Sequence, residues 1–205
     1  MTLGELRTRF KALLNRSDCT NTLATSFLEQ GLARVQRVAR FPNMERVHYV
    51  TGQPTAVESF LIPDDVLQII DVFGNSAPLE HISFRQLMDL KSRYGTQVGA
   101  PQYYARVGAS MFLFPALEAG GEVVVTYYGE FSPLTSDDAT NEASTSIPDV
   151  WLYAALGFAG DYFKHDRAQA WNDIANQLLT EAQDSANQLD MTGGSLAVVP
   201  VHEDY

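Results

Sequence analysis

The sequence predicts an α+β protein: a helical bundle made from N-terminal and C-terminal helix pairs, with a small antiparallel β module inserted between them. Three observations carry this. Apolar residues recur at spacings of three and four in the first 40 residues and again after residue 147. Between these stretches the period shifts towards two, in runs rich in Val, Ile, Tyr and Phe broken by turn residues. Each helix pair also carries an apolar stripe that must be covered, and the other pair is the simplest cover. The expected boundaries are 1–43 and 147–191 for the bundle, 44–146 for the β module with one short helix and an acidic loop, and 192–205 for an extended C-terminal arm.

The elements follow in order. Leu3, Leu6, Phe10, Leu13 and Leu14 predict a helix over 2–15. "NRSDCTN" interrupts it and supplies N-cap residues for a helix from about Thr20 to Arg40, whose stripe is Leu23, Phe27, Leu28, Leu32, Val35 and Val38. Arg34, Arg37 and Arg40 recur at spacings of three along roughly one face of it, and "FPN" ends it. "ERVHYVTG" alternates as a strand does. "AVESFLIPDDVLQIIDVFGNSAPLEHI" reads as two strands around Pro-Asp-Asp, followed by a Gly-Asn turn. "SFRQLMDLKSRYG" is a helix capped by Ser83 and closed by Gly95. "PQYYARVGASMFLFPAL" is a hairpin turning at Gly108-Ala109, and "GEVVVTYYGEF" is a further strand. "SPLTSDDATNEASTS" reads as a solvated acidic linker. Pro148 and Asp149 suit the first turn of a helix that is apolar nearly all round and therefore buried. After a break at "HD", with Asp166 as the cap, Trp171, Ile174, Ala175, Leu178, Leu179, Ala182, Ala186 and Leu189 mark the stripe of the last helix.

Composition narrows the function. A chain that is 45% hydrophobic and 19% charged folds, and no apolar run approaches the ~20 residues of a membrane span. The first 16 residues carry charges every few positions and no apolar core, unlike a secretory signal. The single cysteine, Cys19, excludes an internal disulfide and suits a reducing compartment. The net charge of −11 is uneven. Residues 1–46 hold eight Lys/Arg against four acids and residues 116–205 hold two against fifteen, so most of the surface repels phosphate and tight nucleic-acid binding is not expected.

No residue pattern points to catalysis. The histidines, His48, His81, His165 and His202, form no i, i+4 pair, and there is no HExxH, GxSxG or GxxxxGK[ST] motif. Asp18 beside Cys19 would raise the thiol pKa. The paired acids in "PDDVLQIID" and "TSDDATNE" suit turns and surface better than acid–base work or calcium. Tyr103, Tyr104, Tyr127 and Tyr128 could stack bases or sugars, but neighbouring aromatics on a strand more often place one ring inside and one outside. The arm is different. After Gly193-Gly194, the run Leu196, Ala197, Val198, Val199, Pro200 and Val201 cannot satisfy its own backbone groups. A disordered terminus is one outcome; pairing with an edge of its own β module, or with a sheet on another chain, is the other.

Taken in order, "FLIPDDVLQIIDVFGNSAPLEHISFRQLMDL", "GAPQYYARVGASMFLFPA" and "VVVTYYGEFSPL" resemble the bacteriophage head-to-tail adaptor proteins, also called head-completion or tail tubular connector proteins. The likeness continues through an acidic Thr/Asn-containing loop to "PDVWLYAAL", which opens the second helix pair, and covers roughly residues 20–190. No single piece is diagnostic; the ordered series, in the helix-β-helix arrangement, is fairly specific. The resemblance implies a non-enzymatic structural protein of the virion neck, assembled in the host cytoplasm, without cofactor, metal or membrane. It implies a ring of about twelve subunits with cyclic symmetry, bound to the portal protein on one side and to a tail or nozzle protein on the other, with DNA passing through the lumen without specific binding. The bundle would build the ring wall. The arm, Leu196 to Val201, would engage the portal or a neighbouring subunit. Asp173, Glu181 and Asp184 would line the lumen or meet a basic portal surface, and Arg34, Arg37 and Arg40 would pair with acidic neighbours in the ring. Two other readings compete. A tail-associated glycan-binding or hydrolytic module would need an acid pair near Tyr103 or Tyr127. A cellular helical scaffold would rest on the amphipathic helices alone.

Overall fold

The computed structural model describes residues 1–52 and 56–192. In chain order the elements are α1 (Leu3–Leu14), α2 (Asn21–Val38), β1 (Glu45–Thr51), β2 (Val57–Leu61), β3 (Val66–Gly74), β4 (Ala77–Pro78), β5 (Glu80–His81), α3 (Phe84–Tyr94), β6 (Val98–Gly99), β7 (Tyr103–Val107), β8 (Ser110–Leu117), β9 (Glu122–Gly129), α4 (Glu142–Ser146), α5 (Pro148–Phe163) and α6 (Ala168–Thr192). Mixed α+β is therefore the class, with six α-helices and two sheets among the described residues. The chain forms two compact units, residues 43–130 and residues 1–42 together with the chain from 131 onward.

In the helical unit, α1 starts at a capping box: Thr2 accepts from the Glu5 N–H, and the Glu5 carboxylate accepts from the Thr2 N–H. Its apolar side buries Leu3, Leu6, Phe10 and Leu14. Thr20 caps α2. Its buried side is Ala24, Phe27, Leu28, Gly31 and Val35, while Val38, expected in the stripe, is 66% exposed. Helix α5 has Pro148 in its first turn and buries residues nearly all round, and it packs against α1, α2, α4 and α6. Two glycines permit those approaches. A Cβ on Gly31 would lie 2.7 Å from the Ala155 backbone nitrogen, and one on Gly160 would lie 2.7 Å from the Ala168 Cβ. The Trp151 indole donates to the Leu28 carbonyl at 2.6 Å, joining α5 to α2 inside the core.

The acidic segment is solvent-exposed over most of 132–140, as expected of a solvated linker. It is nevertheless tied to α1 by hydrogen bonds, and Asn141, Ala143 and Ser144 are buried. Asp137 pairs with Arg7, and its carbonyl accepts from the Gly4 N–H at 2.9 Å. The Leu3 N–H donates to the Ala139 carbonyl. Asn141 is buried: its amide donates to the Ser132 carbonyl at 2.6 Å and its Oδ1 caps α4. The orphan N–H groups at the start of α1 find carbonyl partners in this loop, which gives the polar loop a structural role.

In the β unit, β1-β9-β3-β4 form one sheet and β2-β8-β7-β5 another, with β6 on β8. The long pairings are antiparallel; the two-residue pairings β5–β7 and β6–β8 are parallel. Strands β2 and β3, the pair around Pro63-Asp64-Asp65, lie in different sheets, so that turn carries the chain between layers and is not a hairpin. The Gly-Asn turn does close a hairpin: Asn75 and Ser76 both have positive φ, 48° and 69°. Alternation along β8 builds the layers. Met111, Leu113 and Leu117 meet Val72, Val123, Val125 and Tyr127 of the other sheet. Phe112 and Phe114 face the opposite way, with Leu87 and Leu90 of α3. The layer order is α3, five-stranded sheet, four-stranded sheet.

Candidate partner interface

The acidic residues of α6 share one face. At 3.6 residues per turn, Asp173, Glu181 and Asp184 fall within about 80° of one another. All three are exposed. The buried Trp171, Ala175 and Ala186 occupy the opposite side. Gln169 donates to Asp173 and Gln177 to Glu181, each at 2.8 Å along the helix, so the stripe is an ordered row of carboxylates. A lysine or arginine is absent from α6, and nothing on the helix itself neutralises the row.

The three arginines do not form one face. Helix α2 ends at Val38, which leaves Arg40 beyond it. Arg40 donates to the Gln36 and Ala39 carbonyls, and its backbone exchanges two hydrogen bonds with the Gln183 side chain. Arg34 donates to Asn172 Oδ1 at 2.8 Å and Asn176 Oδ1 at 2.9 Å, clamping α2 to α6 within the chain. Arg37 is exposed. The arm residues Leu196, Ala197, Val198, Val199, Pro200 and Val201 lie outside the described residues.

The tyrosines make no common platform. Tyr103 packs with the α3 core and Tyr104 with the inter-sheet core, on opposite faces of β7. Burial, and then the Asp71 charge, push the Tyr104 phenol up. Tyr127 is buried and donates to Asp65 Oδ1 at 3.3 Å, whereas Tyr128 is half-buried on the other face of β9. Asp65 does lie beside Tyr127, but it is held by Arg46, which also donates to the Glu130 carbonyl. Its neighbour Asp64 is exposed. That network ties β1, β3 and the end of β9 together; it is not an acid pair open to a sugar. Cys19 is buried, and burial raises its thiol, with Lys11 lowering it and Asp18 raising it by smaller amounts. Among the described residues no group of three His, Cys, Asp or Glu could hold a metal, and no helix is long and apolar enough to cross a membrane.

Asp65, Tyr127 and Cys19 are thus committed to packing and pairing, while the carboxylate row of α6 is left exposed. The chain belongs to the SU10 adaptor protein family, a phage head–tail adaptor family, which it matches over residues 1–199. No curated protein matches it. Membership makes it a bacteriophage structural adaptor of the virion that contacts other head and tail proteins.

Proposed function

We propose that this adaptor forms a ring of about twelve copies joining the portal protein to a tail or nozzle protein, with DNA passing through the lumen. The observation that carries this reading is the family match across nearly the whole chain. The helical unit builds the ring wall as a bundle of helices from both ends of the chain. The acidic row Asp173, Glu181 and Asp184 faces the channel, where like charge lets phosphates slide without sticking. The row stands opposite the packed side of α6, which leaves it available for that position. Of the arginines, Arg37 is the one proposed to meet an acidic neighbour, since Arg34 and Arg40 hold α6 within the chain. The arm from Leu196 to Val201 docks on the portal or an adjacent subunit, where its backbone groups find partners.

Mass photometry of the chain mixed with its cognate portal ring tests this, with full-length protein beside protein truncated after Met191. Many copies added by the full-length chain and none by the truncation establish an adaptor docked through its arm. Equal addition by both keeps the adaptor and removes the arm's role. No addition by either refutes the reading.

A further inference from the structure

The β unit presents two unlike surfaces on opposite sides. On one side the outward face of the four-stranded sheet is open. The register aligns Tyr49, Val124 and Phe73 in one cross-strand row, and Val47, Thr126 and Asp71 in the next. Tyr49 is 62% exposed and Val47 50% on the edge strand β1, with Ile70 on β3 38% exposed. Exposed acids ring these residues: Glu45 and Glu122 at the two ends, and Asp71 on β3. On the other side lies α3, which covers the five-stranded sheet with Leu87, packs the Phe84 ring on Phe112 at 5.0 Å, and turns Met88 (47% exposed) outward. The same helix carries exposed Arg85 and Arg93 around one acid, Asp89; Lys91 is occupied by Glu58.

We infer that α3 of one copy covers the open sheet face of the next copy, so that the β units stack head to tail around the ring. A helix laid on a sheet is the layer that face lacks. Charge selects the arrangement. Two open sheet faces packed together would set Glu45, Asp71 and Glu122 against their own counterparts, whereas α3 brings Arg85 and Arg93 to them. Because helix and open face lie on opposite sides of one unit, each added copy leaves one of each exposed. Such a contact propagates and closes only as a ring. The inference rests on the ring proposed above and adds which surfaces form it.

The test is oxidative cross-linking of full-length chains carrying Val47→Cys, Met88→Cys, or both. It is run on the portal–adaptor complex and on the chain alone at high concentration. Each substitution sits at an exposed position, and the native Cys19 is buried. The inference expects a ladder of covalent oligomers from the double variant, a dimer from mixing the two single variants, and no product from either single variant alone. A dimer from Val47→Cys alone would show face-to-face pairing and overturn it. Copies that assemble on the portal without a ladder overturn the inference and leave the ring standing. Chains that neither assemble nor cross-link under either condition overturn both.

Discussion

Gly31 shows how much hangs on a missing methyl. In an isolated helix, alanine would be favoured over glycine by about 1 kcal/mol. Here the added carbon would sit 2.7 Å from a backbone atom of α5, which cannot swing aside as a side chain does. Gly31→Ala is therefore expected to destabilise the protein by about 1–3 kcal/mol, measured by urea denaturation; a gain would mean that α2 and α5 separate freely. At Tyr127, burial comes first, then the charge and hydrogen bond of Asp65, in raising the phenol above its ordinary 10.0, with Arg46 offsetting part. A raised pKa in the folded state gives stability that is complete below pH 10.0 and lost as pH rises through the folded value. Tyr127→Phe should flatten the alkaline decline in stability, and absorbance titration near 295 nm should lose a late-ionising tyrosine. Such facts were only partly legible in the sequence. Adjacent tyrosines on a strand imply one in and one out, but nothing in "TYYGEF" says that the inner one meets an aspartate 62 positions away.

Among the α-helices, α4 was the one hidden from sequence. Five residues, Glu142–Ser146, give too little periodicity to register, and their setting in a Ser/Thr/Asp-rich stretch reads as solvent-exposed. The available signal was Asn141, an N-cap residue whose Oδ1 accepts from Ser144 three positions on. Asn141→Ala removes that cap and also the hydrogen bond to the Ser132 carbonyl, both in a buried place. The expected cost is about 2–3 kcal/mol, together with faster hydrogen exchange in residues 132–146; unchanged exchange would deny the loop its structural role. The long helices were legible because their periods run for three turns or more and their starts are written in the caps Thr2, Thr20 and Ser83 and in the first-turn Pro148. Strand partners were not. Pro63-Asp64-Asp65 announces a turn, but a turn into the neighbouring sheet and a turn back along the same one use the same residues.

For the whole molecule, the prediction concerns charge. Changing Asp173, Glu181 and Asp184 to Asn, Gln and Asn should leave the free chain's stability within about 0.5 kcal/mol, because all three are exposed. Assembled particles should then release DNA more slowly at low salt and normally at high salt. Unchanged release at low salt would remove the row from the channel. The location of the acids on one side of α6 was readable from their spacing. The dispersal of Arg34, Arg37 and Arg40 was not, since it follows from where α2 stops and from asparagines on α6.

The insertion of residues 43–130 between the two parts of the helical unit has a consequence during synthesis. Helices α1 and α2 leave the ribosome first, yet α5, which covers Leu28 and Gly31, follows only after the entire β unit. At roughly 5–20 residues per second, the nascent chain carries a half-built apolar surface for on the order of 5–20 s while the inserted unit is completed. A host translating many copies at once holds many such surfaces side by side. A chain truncated after Glu130 and released should therefore yield a β unit carrying an adhesive helix pair, the form at which aggregation and chaperone capture are most expected.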